Sequence, residues 1–126
     1  MKETINYDGK TYKVFTITTE FGEYKVFFVI GKYRSNDSLA IQAWTASENP
    51  EEIDCFCTLT VNLDNYGFGM ENENEAYVDT NNNPWAMKFI RENKLGRKVG
   101  IRKSGYCKYP LVRFNVKKFY AEETKK

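Results

Sequence analysis

The side chains able to do chemistry in this 126-residue chain are three cysteines, scattered carboxylates and a dense run of cations with tyrosines among them. There is no histidine. Its absence removes the commonest general base near neutral pH, the usual serine and cysteine triads, and most zinc sites. Cys55 and Cys57 lie at i, i+2, a spacing that puts both thiols on one face of a strand. With Cys107 they offer three thiolates, one short of a four-cysteine site, and Asp54 is a possible fourth ligand. No metal and no cofactor is expected, and the cysteines read as reduced and buried. Gly100-Ile-Arg-Lys-Ser-Gly105 imitates the start of a phosphate loop. That loop needs Lys and then Ser or Thr directly after the second glycine; Tyr106 and Cys107 stand there instead, so nucleotide hydrolysis is rejected. The glycines still leave room for backbone N–H groups to approach an anion beside Arg97, Lys98, Arg102 and Lys103. Glu71, Glu73 and Glu75 alternate without the spacing of a calcium loop. Nothing in the chain locates a pair of working carboxylates, so no catalytic residue is assigned and a non-enzymatic protein is expected.

Charge is segregated along the chain. Residues 1–85 hold 6 Lys+Arg and 14 Asp+Glu, whereas residues 86–126 hold 13 and 3. The balances of −8 and +10 give the net +2. Between residues 86 and 118 there are 11 cations and one carboxylate, Glu92, with Tyr106, Tyr109 and Tyr120 among or just behind them. Cations that fix phosphates beside aromatics that stack on bases form a nucleic-acid pattern. The plainer alternative is that the acidic and basic regions pair within the fold and cancel. Acidic residues from Glu48 to Asp79 raise the opposite possibility of a phosphate-row mimic, which the basic half argues against.

The elements that must position these groups centre on residues 77–96, YVDTNNNPWAMKFIRENKLG. A strand end runs into a turn of asparagines, whose side chains bond nearby backbone. Asn83 reads as the N-cap of a helix with Pro84 at its first position. Trp85, Ala86, Phe89 and Ile90 share one helical face, and Gly96 reads as the left-handed residue that ends the helix. Three turns of helix are too short to stand alone, so the helix must lie on a sheet. Before it, residues 4–7 and 11–19 flank Asp8-Gly9, a hairpin signal. Residues 21–24, with Gly22, read as a turn, and 25–33 as a central strand covered on both faces through VFFVI. Residues 39–45 form a further strand with Leu39, Ile41 and Ala43 on one face and Trp44 on the other. Residues 54–63 alternate as one strand, 34–38 and 64–74 read as loops, and 97–105 as a basic, glycine-rich loop. Residues 109–119 are the last strand, placed to pair with 54–63. The tail 121–126 is charged and should fray. This order describes one α+β domain over residues 1–126, with a mainly antiparallel sheet of about six strands and one short helix on one face. No secretory leader is expected, since residues 1–10 lack an apolar run, and the longest strongly apolar run, 26–30, is too short to span a bilayer. A cytoplasmic protein is expected.

If one site exists, it groups Asp79, Asn81, Asn82 and Asn83 at the turn with Arg97, Lys98, Arg102, Lys103, Tyr106 and Arg113, provided the segment after the helix returns past the helix start. Four blocks carry a resemblance: Leu59-Thr-Val-Asn-Leu63; Glu75-Ala-Tyr-Val-Asp-Thr-Asn-Asn-Asn-Pro-Trp85; Lys94-Leu-Gly96; and Ser104-Gly-Tyr-Cys-Lys-Tyr-Pro-Leu-Val-Arg-Phe114. In these the second half of the chain, residues 59–119, resembles a family of small uncharacterised domains, itself similar to cargo of conjugative elements and phages of Gram-positive and gut bacteria. The resemblance implies a setting and no reaction. The expectation is an accessory factor of a mobile element that binds a host or element-encoded protein, with anti-defence as one such role. A nucleic-acid-binding module using the basic C-terminal surface is the alternative.

Overall fold

The computed structural model describes residues 4–33, 39–63 and 74–121. The sequence-expected loops at 34–38 and 64–73 and most of the tail lie outside them. Strands β1 (Thr4–Tyr7) and β2 (Lys10–Lys13) form the expected hairpin. Asp8 and Gly9 both take positive φ, 52° and 82°, the mirror-image turn that matches strand twist. A four-stranded sheet follows in the order β3 (Phe15–Thr19), β4 (Gly22–Lys32), β5 (Leu39–Thr45), β6 (Cys55–Thr58). The second four-stranded sheet contains β7 (Thr60–Val61), β8 (Glu75–Val78), β9 (Gly96–Ser104) and β10 (Cys107–Phe114), ordered β7-β8-β10-β9. Helix α1 covers Ala86–Glu92, and 3-10 turns occupy Pro50–Glu52 and Val116–Phe119. All pairings between these strands are antiparallel. The result is a mostly antiparallel β protein with one α-helix, and its described strands form three sheets rather than one sheet of about six strands.

The run 11–19, expected as one strand, breaks at Val14 into β2 of the hairpin and β3 of the first four-stranded sheet, and two further segments account for the rest of the difference. The alternating run 54–63 is not one strand. Leu59 donates its N–H to the Ile41 carbonyl of the first sheet at 2.9 Å and accepts from the Asp79 N–H beside the second at 2.8 Å. The chain therefore changes sheets at this residue. Thr60 is buried next to it, its hydroxyl accepting from the Ile41 N–H at 3.1 Å and bonding the Tyr33 hydroxyl at 2.9 Å. A buried donor or acceptor left unmatched costs about 1–3 kcal/mol, so the polar residue at this corner is a requirement of the switch. The second segment, 97–105, is the long edge strand β9, and not a loop. It pairs with β10 from Gly96↔Phe114 to Ser104↔Cys107, with one bulge near Leu111/Val112. The last strand accordingly pairs with β8 and β9, and β8 stands between it and β7.

The principal core lies between the two larger sheets. Ile17, Val26, Phe28 and Ile41 come from the first sheet; Val78, Val112 and Phe114 come from the second; Ala86, Phe89 and Ile90 come from the helix. The helix thus buries its apolar face as expected. The opposite face of β4 carries Phe27, which is fully buried. The β1–β2 hairpin covers it, with the Tyr7 and Tyr12 rings 5.3 and 5.2 Å from Phe27 and Tyr7 5.9 Å from Trp44. That cover explains why the middle of β4 is apolar on both faces.

The helix ends differ from expectation. Asn83 is not the N-cap: Trp85 holds that position in helical conformation with no side-chain cap. The Asn83 amide instead donates to the Thr58 carbonyl at 2.9 Å and ties the turn to β6. At the other end the left-handed residue is Lys94, φ 56°, and not Gly96. Gly96 already begins β9, where an added Cβ would fall 2.6 Å from the Arg113 carbonyl oxygen. Close approach of two strands, rather than a helix stop, is what requires glycine there. Among the described residues no helix is long and apolar enough to cross a membrane.

Candidate functional site

The basic segment is presented on the β9–β10 hairpin. Gly105, at φ 63°, makes the turn possible, and Tyr106 projects from its tip fully exposed. Arg97, Lys98, Lys103, Lys108 and Arg113 are exposed along the two strands. The register sets Lys103 opposite Lys108 and Arg97 opposite Arg113. Like charges directly opposite each other on neighbouring strands repel. At Arg113 the repulsion is relieved by Glu75, which is only 3% exposed and accepts from the guanidinium Nη2 at 2.7 Å and Nε at 2.9 Å. Among the described residues Arg97, Lys98, Lys103 and Lys108 have no carboxylate within ion-pair distance. Lys88–Glu92, at 4.0 Å, is an exposed pair along the helix. The Glu75–Arg113 pair joins the acidic and basic halves of the chain, and among the described residues it leaves Arg97, Lys98, Lys103 and Lys108 without an ion pair.

The residues grouped from sequence divide between the two ends of this hairpin. In the antiparallel register Tyr77 lies opposite Leu111, so the turn after β8 approaches the Tyr109 end of β10. The Tyr109 phenol is held above its ordinary value mainly by a hydrogen bond with Cys107, and the Asp79 charge contributes least. Asp79 therefore shares one end with Arg102, Lys103 and Tyr106, while Arg97, Lys98 and Arg113 occupy the other. Within the turn, Asp79 accepts from the Asn82 backbone N–H at 3.2 Å and from its amide at 2.8 Å. Asn82 and Asn83 are thereby engaged in shaping the turn, and Asn81 remains exposed.

A feature absent from the sequence reading is a cleft of about 780 Å³ between the β3–β4 turn and the start of the helix. Its aromatic lining comes from Phe21, Tyr24, Phe56 and Trp85, with Asn82 and Cys57 beside them. Tyr24 and Phe56 pack at 4.9 Å, and Phe21 is 81% exposed. Phe21 sits in a turn, so no periodicity marks it. The cysteines also depart from expectation: Cys55 is exposed and Cys57 only half-buried. Burial pushes the Cys57 thiol up to about 12, with the Cys55 and Asp79 charges adding to the effect. The thiolate is the nucleophile, so near pH 8 only about one Cys57 in 10⁴ is reactive by the tenfold-per-unit rule. A neutral maleimide is therefore expected to label Cys55 at least about 100-fold faster than Cys57. Peptide mass mapping over a time course checks this, and equal rates would contradict the burial. Among the described residues no three Cys, Asp or Glu converge as metal ligands would.

Residues 27–124 match the family described as a domain of unknown function (DUF4313). The match begins well before Leu59, where the block resemblance starts. No curated protein and no solved structure matches the chain.

Proposed function

We propose, for a chain that belongs to the family described as a domain of unknown function (DUF4313), a non-enzymatic role in binding nucleic acid through the β9–β10 hairpin. One observation carries this reading. The hairpin holds Lys103 directly opposite Lys108 with no described carboxylate to neutralise either, and it ends in a fully exposed tyrosine. A fold that keeps repelling cations face to face gains most when a polyanion lies across them. Tyr106 then offers a ring on which an unpaired base stacks. In the mobile-element setting implied by the resemblance, such a module accompanies transferred DNA or screens it from host defence.

Fluorescence anisotropy with a labelled single strand across a salt series tests the reading. Lys98→Ser/Lys103→Ser/Lys108→Ser is expected to lower the slope of log K against log salt by about 2, at roughly 0.7 per phosphate contact on single strands. Tyr106→Ser is expected to weaken binding about 10-fold with the slope unchanged, as loss of one stacked base would. No binding by the native protein, or slopes that ignore the lysines, would defeat it.

The aromatic cleft favours a second reading, a protein partner seated against Phe21 and Trp85. Capture of a partner that survives nuclease treatment and is lost in Phe21→Ser would support that reading over the first.

A further inference from the structure

At the end of β9 remote from Tyr106, Arg91, Lys94, Arg97 and Arg113 line one open cleft of about 500 Å³ with Asn74 and Asn115. Three parts of the fold deliver the cations. Arg91 lies in the last turn of α1, Lys94 in the turn after it, and Arg97 faces Arg113 across β9 and β10. Of the four, only Arg113 is paired with a described carboxylate, Glu75. The carbonyls at the end of a short helix would attract Arg91 and Lys94 by themselves. They do not account for Arg97, set opposite a second arginine.

Two backbone facts show how the cleft is built. Lys94 stands at φ 56°, a conformation that glycine adopts without the Cβ penalty that lysine incurs. A lysine at this turn gives up a little stability, and the residue lines the cleft. Gly96 lets β9 close onto β10, since a Cβ there would meet the Arg113 carbonyl oxygen at 2.6 Å and Val112 Cγ1 at 2.9 Å. That approach brings Arg97 level with Arg113.

Three cationic residues with no described ion pair, lining one space beside the Glu75-paired Arg113, suit a concentrated charge better than a chain of monoanions. An internal phosphodiester carries one negative charge, whereas a phosphate monoester carries about 1.5–2 near pH 7. The cleft also lies at the foot of the same hairpin. Arg102 pairs with Tyr109 and Arg97 with Arg113, and residues two apart on a strand share a face. Arg97, Arg102 and Arg113 therefore lie on one side of the sheet and Lys98, Lys103 and Lys108 on the other, so a strand seated on the lysines reaches the cleft by passing over the free edge of β9. From Arg97 to Lys103 the strand runs about 20 Å, the separation between the cleft and the approach to Tyr106.

We infer that this cleft holds the terminal phosphate monoester of a nucleic-acid strand whose body lies along the β9–β10 hairpin. The inference rests on the nucleic-acid reading above and adds to it the recognition of an end. Labelled single strands of about 12 nucleotides, within the usual range of single-strand site sizes, are prepared with a phosphate or a hydroxyl at the 5′ or 3′ end and titrated at fixed salt. A phosphate at one of the two ends is expected to bind about 10-fold tighter than the hydroxyl, one decade being about 1.4 kcal/mol. Lys94→Gly and Arg91→Ser are expected to erase that preference while leaving hydroxyl-ended strands within about twofold of the native affinity. Lys94→Gly is also expected to keep or raise the melting temperature, which a merely damaged fold would not do. Equal affinity for phosphate and hydroxyl ends overturns the inference and leaves the hairpin reading standing. A preference that persists in both variants places the phosphate elsewhere and also overturns it. Failure of every strand to bind removes the hairpin reading. Inorganic phosphate followed by amide chemical shifts then decides the cleft: millimolar shifts at residues 94–97, lost in both variants, retain it as a phosphate site, and their absence overturns it.

Discussion

Arg113→Ala is expected to destabilise the protein by about 3 kcal/mol, the lower end of the cost of stripping one partner from a buried ion pair. The lower end applies because the Arg113 side chain is 42% exposed, whereas that of Glu75 is 3% exposed. Removing the arginine loses two charge-assisted hydrogen bonds, at 2.7 and 2.9 Å, and leaves the Glu75 carboxylate enclosed without its cation. Water reaches the arginine more easily than it reaches the glutamate, so the penalty arises on the acidic side. The double variant Glu75→Leu/Arg113→Leu removes the enclosed charge as well and is expected to fall within about 1 kcal/mol of the native protein. Urea unfolding of the native, single and double variants measures both terms. A double variant as unstable as Arg113→Ala would show that lost packing, not an uncompensated carboxylate, sets the cost. The pair also bears on function. Because Arg113 supports the fold, its loss cannot report cleanly on ligand binding, whereas Arg91 and Lys94 have no described ion pair and can.

The parts of this fold that were legible in the sequence are those fixed by local chemistry. Asp8-Gly9 specifies a two-residue hairpin because both positions tolerate positive φ. The run Val26-Phe27-Phe28 is apolar on both faces because one face meets the central core and the other meets Tyr7 and Tyr12. Phe89 and Ile90 mark the buried helix face. What stayed hidden was set by tertiary contact. Cys55, Cys57 and Leu59 keep an alternating pattern through a point where the backbone changes partners, and only the burial of Thr60 beside Leu59 reveals the corner. Cations and glycines made 97–105 look like a loop, yet Gly96 and Gly105 serve a close strand approach and a tight turn at the two ends of a strand. The candidate site was legible in its charge and not in its layout. Segregated cations pointed to the hairpin, but the register alone places Arg97 and Arg113 away from Tyr106. Lys94 gave no sign at all, because its importance lies in a dihedral angle.

Phe119→Ala is expected to lower the melting temperature by about 10–20 °C. The residue follows the end of β10, on the 3-10 turn Val116–Phe119, where continued strand had been expected. Its ring is fully buried and lies 5.1 Å from Phe28, 6.1 Å from Phe114 and 6.3 Å from Phe15. It therefore joins strands of both larger sheets through one side chain. Emptying such a site costs about 3–5 kcal/mol, a large share of the roughly 5–15 kcal/mol that holds a domain folded. At about 3–5 °C per kcal/mol for a chain of this size, the predicted fall follows. The loss should also reach beyond the core. Tyr120 stacks on Tyr12 at 5.2 Å, and the Ala121 N–H donates to the Thr11 carbonyl at 3.0 Å, so the closing segment fastens the β1–β2 hairpin over Phe27. Faster hydrogen exchange at the Ala121 amide should accompany the lowered melting temperature, while Phe119→Leu, which refills most of the volume, should lose less than half as much. A melting temperature within about 2 °C of the native value in Phe119→Ala would mean that the two sheets hold together without this ring, and that the C-terminal segment rests on the domain instead of closing it.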